Sequence, residues 1–261
     1  MKNHFIVAYT GNKRNEVEQI YNEIIKNNSL NEMTTICEPY CGSSAMSYYI
    51  STKHPKKFKY ILNDINILLI EVYKIMSNEE TMRAFIKKIN SMCFDDKKKF
   101  ITKDKYIEIM KLNNIESYFI SNKFYNYRQG LYPLDKKNEP LDIEKILKTP
   151  IIQFLKNENV IFSSEDAIEC IKNNNDTKTL ILCDPPYLMA NNDFYANYNV
   201  NIYEWLYEND KLLKNTAFIL EYNWIIKLLF RDVKTKEVYI KKYTGIKKKI
   251  AEHVIAFYNN K

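Results

Sequence analysis

The sequence predicts an α/β fold, a parallel sheet wound with helices and interrupted by a mainly helical insertion. Three observations carry that expectation. Short apolar runs rich in β-formers alternate with helix-period segments near the start of the chain. The same rhythm resumes near its end. Between about residues 77 and 150 it stops, and only helical periodicity remains.

Taken in order, an apolar run FIVAY leads into a helix from about Lys13 to Asn27. The strand TTICEP follows, then a Gly/Ser turn and a helix beginning near Ser44, with Ser43 or Ser44 as its cap. A second strand, FKYILND, precedes the amphipathic segment INILLIEVYKIM, which completes a βαβ pattern. The stretch 77–150 holds TMRAFIKKINSM and YIEIMKLNNI at helical spacing, a lysine run DDKKKF and the aromatic-basic cluster FYNYRQGLY. NVIFSS, TLILCD, TAFILEY and HVIAFY then resume the strands. The resulting division is a catalytic domain of residues 1–76 and 151–261 around an insertion of residues 77–150.

With 261 residues, 46% hydrophobic, the chain can bury a full core. Its five cysteines (Cys37, Cys41, Cys93, Cys170, Cys183) form no C-x-x-C pair and read as buried thiols rather than metal ligands. No apolar run reaches membrane-spanning length, so an intracellular, cytoplasmic protein is expected, acting in the host cell were the source viral. A formal charge of +7 suits a polyanionic partner, although a bias toward Lys, Asn, Ile and Tyr weakens that signal.

Three strand ends carry the chemistry. In ICEPYCGSSA the chain passes from a strand through Glu38 and Pro39 to Gly42 and a helix start, a turn that lets a ligand approach the backbone. In LND, Asp64 ends the next strand, where an acid can accept hydrogen bonds from both ribose hydroxyls. Together they favour an adenosine-containing ligand, and the absence of G-x-G-x-x-G argues against a pyrophosphate. In LILCDPPYLMA, Asp184 follows a buried strand, and two prolines fix the backbone and remove two donors. The Asp184 carboxylate and the Pro185 carbonyl can take both hydrogens of one amino group, while Tyr187 offers a flat face to a ring.

On these residues the chain resembles the Dam-like, alpha-group DNA adenine methyltransferases. YTGNK is similar to that family's N-terminal cofactor motif, EPYCGSSA to its EPF-x-G-x-G-A loop, NDIN to its strand-two acid and DPPY to its catalytic motif. TGIKKKIAEHVIAFYN resembles its terminal segment, and the target-recognition insertion falls where the family places it. The resemblance implies a Rossmann-like S-adenosylmethionine-dependent methyltransferase sheet with a mainly helical target-recognition insertion. It also implies methyl transfer from S-adenosylmethionine to the exocyclic N6 of a flipped-out adenine in a specific sequence of double-stranded DNA, with no metal. Tyr9 and Lys13 would lie on the cofactor, with Glu38, Pro39, Gly42, Asp64, Asp166 and Asp184 completing its site. Asp184, Pro185 and Tyr187 would be catalytic. Tyr125, Tyr127, Arg128 and Tyr132 in the insertion, and Lys247 and Lys248 in the basic turn, suit phosphates and unstacked bases. The loop 190–199 reads as a lid.

Two departures stand out: Ser44 replaces the second motif glycine, and Tyr40 the phenylalanine. They leave open a catalytically weak or inactive DNA-binding relative or partner subunit. A methyltransferase acting on RNA or a protein amide is a third reading, disfavoured by the aspartate in the motif. The sequence leaves open a homodimer and a companion restriction nuclease.

Overall fold

The computed structural model describes residues 13, 15–27, 30–124, 138–187, 201–221, 224–229, 235–242 and 250–259. The chain divides into two compact units, one of residues 1–12 and 66–162, the other of residues 13–65 and 163–261. The stretch 77–150 lies wholly within the first.

Among the described residues the first unit is mainly helical between Asn66 and Leu155. α3 (Ile67–Ser77) packs against α4 (Glu79–Cys93), α6 (Ile115–Phe124) and α8 (Pro150–Leu155), while α5 (Lys103–Lys111) packs on α6. α7 (Ile143–Leu147) joins α4 and α8. Five of these six starts are marked in the sequence by a short polar side chain closing back on the third amide beyond it: Asn66 on Leu69, Asn78 on Thr81, Thr102 on Lys105, Asn114 on Ser117 and Asp142 on Lys145. Pro150 opens α8, where its missing amide costs nothing. Leu69, Ile70, Tyr73, Met82, Ile86, Ile89, Tyr106, Phe119 and Ile120 are buried together in this unit, each worth ~1.5–3 kcal/mol on the transfer scale.

The second unit carries the sheet. Among the described residues the order of this unit's own strands is β2-β1-β4-β5-β7-β6. The strands are β1 (Thr35–Glu38), β2 (Lys59–Asn63), β3 (Val160–Ser163, whose last residue belongs to this unit), β4 (Thr179–Cys183), β5 (Asn215–Glu221), β6 (Thr235–Lys242) and β7 (Ile250–Asn259). β1 pairs in parallel with β2 and β4, and β4 with β5. Every residue of β4 is buried, which fits its unbroken apolar run at the sheet centre. α1 (Val17–Asn27) packs on α2 (Ala45–Lys53); α9 (Ala167–Asn174) packs on β4 and on α10 (Asn201–Asn209).

Three local expectations change. The first helix begins at Val17 rather than Lys13, whose carbonyl instead accepts the Glu16 amide in a turn. The sheet is mixed, because β7 runs antiparallel to β5 and to β6. β6 itself, TKEVYIKK, is absent from the reading of the sequence: three lysines and a glutamate break its apolar signal, as suits a strand at the sheet edge.

Within this unit the chain winds outward from β1 in both directions, to β2 on one side and to β4 and β5 on the other. In such sheets the order reverses between the two central strands, and a crevice opens at their carboxyl ends. β1 and β4 are those strands here, in register Thr35 to Thr179 and Cys37 to Ile181, so the segments beginning at Glu38 and Asp184 leave the sheet side by side.

Candidate active site

At the end of β1 the Glu38 side chain is buried, and its Oε1 accepts the Ser47 amide at 2.7 Å. Ser47 is the third residue of α2, so Glu38 caps the helix. The cap residue itself is Ser44, one of the two serines expected. Ser44 has a left-handed backbone, φ 53, and makes no side-chain cap bond. Burial pushes the Glu38 carboxyl up to about 7; the Ser47 bonds oppose the shift and the nearby charge of Asp184 adds to it. Gly42, at φ 45, needs the freedom of a residue without Cβ, and its amide donates to Asp64 Oδ2 at 3.0 Å.

The end of β2 supplies the link between loops. Asn63, fully buried, donates through Nδ2 to the carbonyls of Pro39 and Glu165, each at 3.0 Å. Its Oδ1 accepts from the Ser163 hydroxyl and the Glu165 amide, each at 2.9 Å. One amide side chain therefore holds three strand ends in place. Asp64 beside it is also buried. Asp166 caps α9 by accepting the Ile168 amide at 2.8 Å. Burial pushes the Tyr40 hydroxyl far above the phenol range, and Cys183, Asp166, Tyr203 and Asp64 all act on it, which sets Asp166 near the same loop.

At the end of β4, Asp184 Oδ2 lies 2.6 Å from the Lys13 ammonium, in a pair whose lysine is almost fully buried. Lys13 also sits over the Tyr187 ring, 5.0 Å from its centroid. The Tyr203 hydroxyl, from α10, donates to the Pro186 carbonyl at 3.0 Å and pins the motif's backbone. Tyr187 Oη lies 3.3 Å from Nδ1 of His253 on β7, and that nitrogen is 3.4 Å from Glu16 Oε2. Paired with the Lys13 ammonium, the Asp184 carboxylate offers acceptor oxygens and no donor.

Lys13, Glu38, Pro39, Gly42, Asp64, Asp184, Pro185 and Tyr187 thus belong to one unit, on segments joined by hydrogen bonds and charge. Tyr9, Tyr125, Tyr127, Arg128, Tyr132, Lys247, Lys248 and the loop 190–199 lie outside the described residues. Reading the sequence missed Asn63, Tyr203, Glu16 and His253. A signal for His253 was present, a lone imidazole opening the apolar run HVIAFY. Among the described residues no cluster of His, Cys, Asp and Glu could hold a metal, and no helix is long and apolar enough to cross a membrane. All five cysteines are buried free thiols.

A doubly wound sheet with acids at the ends of β1, β2 and β4 defines a class of α/β protein whose crevice lies at the carboxyl ends of the central strands. The family follows. The model of the D12 class N6 adenine-specific DNA methyltransferases matches residues 9–254, and the chain belongs to that family. It is an S-adenosylmethionine-dependent methyltransferase of adenine in DNA. Among solved structures it is similar to the N-terminal domain of human METTL16 in complex with SAH, at 8% identity and a TM-score of 0.39, over 95% of this chain and 69% of that one. No curated protein matches.

Proposed function

We propose that the chain methylates one adenine of a specific duplex sequence after the base has turned out of the helix, with Asp184, Pro185 and Tyr187 holding it. The observation that carries this reading is the position of Asp184: a charged acceptor at the carboxyl end of the central strand, next to the β1 segment that holds Glu38 and Gly42.

The residues present fit the methyl donor. Gly42 has no Cβ to block close approach, Asp64 suits ribose hydroxyls, and Glu38 is a buried carboxyl whose high pKa a cationic amino-acid end would draw down. Lys13, Pro39, Asp166 and Tyr9 complete this set in our reading. When bound, S-adenosylmethionine supplies an electrophilic methyl carbon.

The chain's own part concerns the amine. The lone pair of adenine N6 is delocalised into the ring, and two hydrogen bonds, to the Asp184 carboxylate and the Pro185 carbonyl, favour a tetrahedral nitrogen with that pair available. Asp184 then lies beside the proton that the nitrogen must lose. Holding donor and amine in line can supply up to ~7–11 kcal/mol of the barrier. Because N6 is inside the duplex, the base has to leave the stack, and Tyr187 is the ring to receive it.

Sequence choice belongs, in this reading, to the insertion 77–150, with Tyr125, Tyr127 and Arg128 at bases and phosphates and Lys247 and Lys248 on the backbone. The substrate places the reaction inside a cell, and a restriction-modification setting suits it. No observation carries a homodimer. The test is transfer of labelled methyl from S-adenosylmethionine to unmethylated duplex DNA. Asp184→Asn should lower turnover by at least about a thousandfold, with the donor still bound. Turnover that persisted would overturn the reading, and tight DNA binding by the unaltered chain without transfer would favour an inactive relative.

A further inference from the structure

We infer that His253, oriented by Glu16, is a positioning residue for Tyr187, the three forming a hydrogen-bonded chain, buried at Glu16 and His253, that fixes the ring meant to receive the target base. The inference rests on the reading of Tyr187 given above.

His253 is fully buried on β7, directly before Val254, Ile255 and Ala256, which are also fully buried. An imidazole at such a place is costly unless its nitrogens are engaged. Its Nδ1 faces two oxygens, Tyr187 Oη at 3.3 Å and Glu16 Oε2 at 3.4 Å, and Glu16 is itself buried. An ionised carboxylate can only accept, so the hydrogen between His253 and Glu16 sits on Nδ1. That one N–H is shared between both oxygens, which fits two long distances rather than one short one. Tyr187 Oη is then an acceptor, and its own hydrogen is aimed elsewhere.

The consequence for Tyr187 is a ring fixed from several directions. Its backbone follows two prolines, its edge meets the His253 ring in a T-shaped contact (centroids 5.3 Å apart, planes at 87°), its oxygen is held by Nδ1, and Lys13 lies over its face. The segments that converge on it are the turn before α1, which carries Lys13 and Glu16, the segment after β4, and β7. A residue that served packing alone would be replaceable by an aliphatic side chain such as its neighbours carry. A positioning residue would not.

A double-mutant cycle on the whole chain distinguishes these, using methyl transfer from S-adenosylmethionine to unmethylated genomic DNA. Tyr187→Phe, which removes one oxygen, and His253→Leu should each lower kcat about tenfold, the worth of one hydrogen bond. The pair together should also lose about tenfold, with KM for the methyl donor within about twofold of the starting value. His253→Asn, which keeps a polar atom near the Nδ1 position, should recover most of the rate, and Glu16→Gln should resemble His253→Leu. Nitrogen NMR of labelled histidine should place the His253 proton on Nδ1.

Losses that multiply to about a hundredfold overturn the inference, as does an Nε2–H tautomer or a Tyr187→Phe variant at full rate. Should His253→Leu not fold, the cycle runs with Tyr187→Phe and Glu16→Gln under the same criterion. The Asp184→Asn variant separates the two levels. If it abolishes transfer while Tyr187→Phe leaves the rate unchanged, only the positioning role falls; if it leaves transfer intact, the reading of the motif falls.

Discussion

Both units use polar side chains for local caps and for long-range bonds, as Asn90 to Leu141 in the first and Asp166 to Ile168 in the second show, but the two kinds of bond have different consequences. In the first, Asn66, Asn78, Thr102 and Asp142 each bond an amide three residues ahead, and the bonds sit at the surface or half-buried. In the second, Asn63 joins segments 24 and 102 residues away, Asp64 reaches back 22 residues to Gly42, and Tyr187 meets His253 across 66. Local caps decide where a helix begins, and water can replace them at modest cost. Buried long-range bonds decide which loops meet, and no water takes their place. The same residue type, asparagine, performs both tasks, so its environment sets its worth.

Loss of the buried hub should break that contrast most visibly. Asn63→Ala strands the Ser163 and Glu165 donors and the Pro39 carbonyl, and we expect roughly 3 kcal/mol of lost stability by urea denaturation, together with weakened binding of the methyl donor. A loss as small as that of a surface cap would show that Asn63 is no hub.

Glu38 comes next, with a dependence on pH. Its folded pKa of about 7 lies above the ordinary 4.5, so between those values the native state keeps a proton that the unfolded chain releases. Stability therefore falls as pH rises from about 4.5 to about 7, by roughly 3 kcal/mol in all for this group. Melting curves across that window should show the decline, and Glu38→Gln should flatten it. Donor binding near pH 7 should release a proton, seen as a heat that varies with the buffer's ionisation enthalpy.

The local cap gives a smaller effect. Asn78→Ala at the start of α4 should cost about 1 kcal/mol and leave methyl transfer unchanged. Smallest, and opposite in sign, is Ser44→Gly. Ser44 has the left-handed backbone that glycine adopts freely, and relieving it should stabilise the chain by up to about 1 kcal/mol. A destabilised Ser44→Gly would mean that the serine side chain makes contacts worth more than its strain.

Legibility followed the same division. The helices of the insertion show in their periodicity, and the caps can be read one residue at a time. The strand ends were equally plain, because Glu38, Asp64 and Asp184 each close an apolar run, and a sharp change from buried to charged residues is a local pattern. β6 was not legible, since an edge strand carrying lysines shows little hydrophobic alternation. The cap residue of α2, Ser44, is legible from residue type, but the side-chain bond to the helix amide comes from Glu38, which only the fold brings there.

By itself the sequence determined the α/β class, the strands that close on acids, the glycine turn and the acceptor motif, and through them the family. All of these depend on neighbours within a few residues, where periodicity and side-chain chemistry act directly. Only the tertiary structure decided that Lys13 pairs with Asp184, that Asn63 ties three strand ends together, and that Glu16 and His253 stand behind Tyr187. A buried polar group takes as partner whatever the packed sheet brings within hydrogen-bond reach, and that is settled by the winding of the chain rather than by its local order.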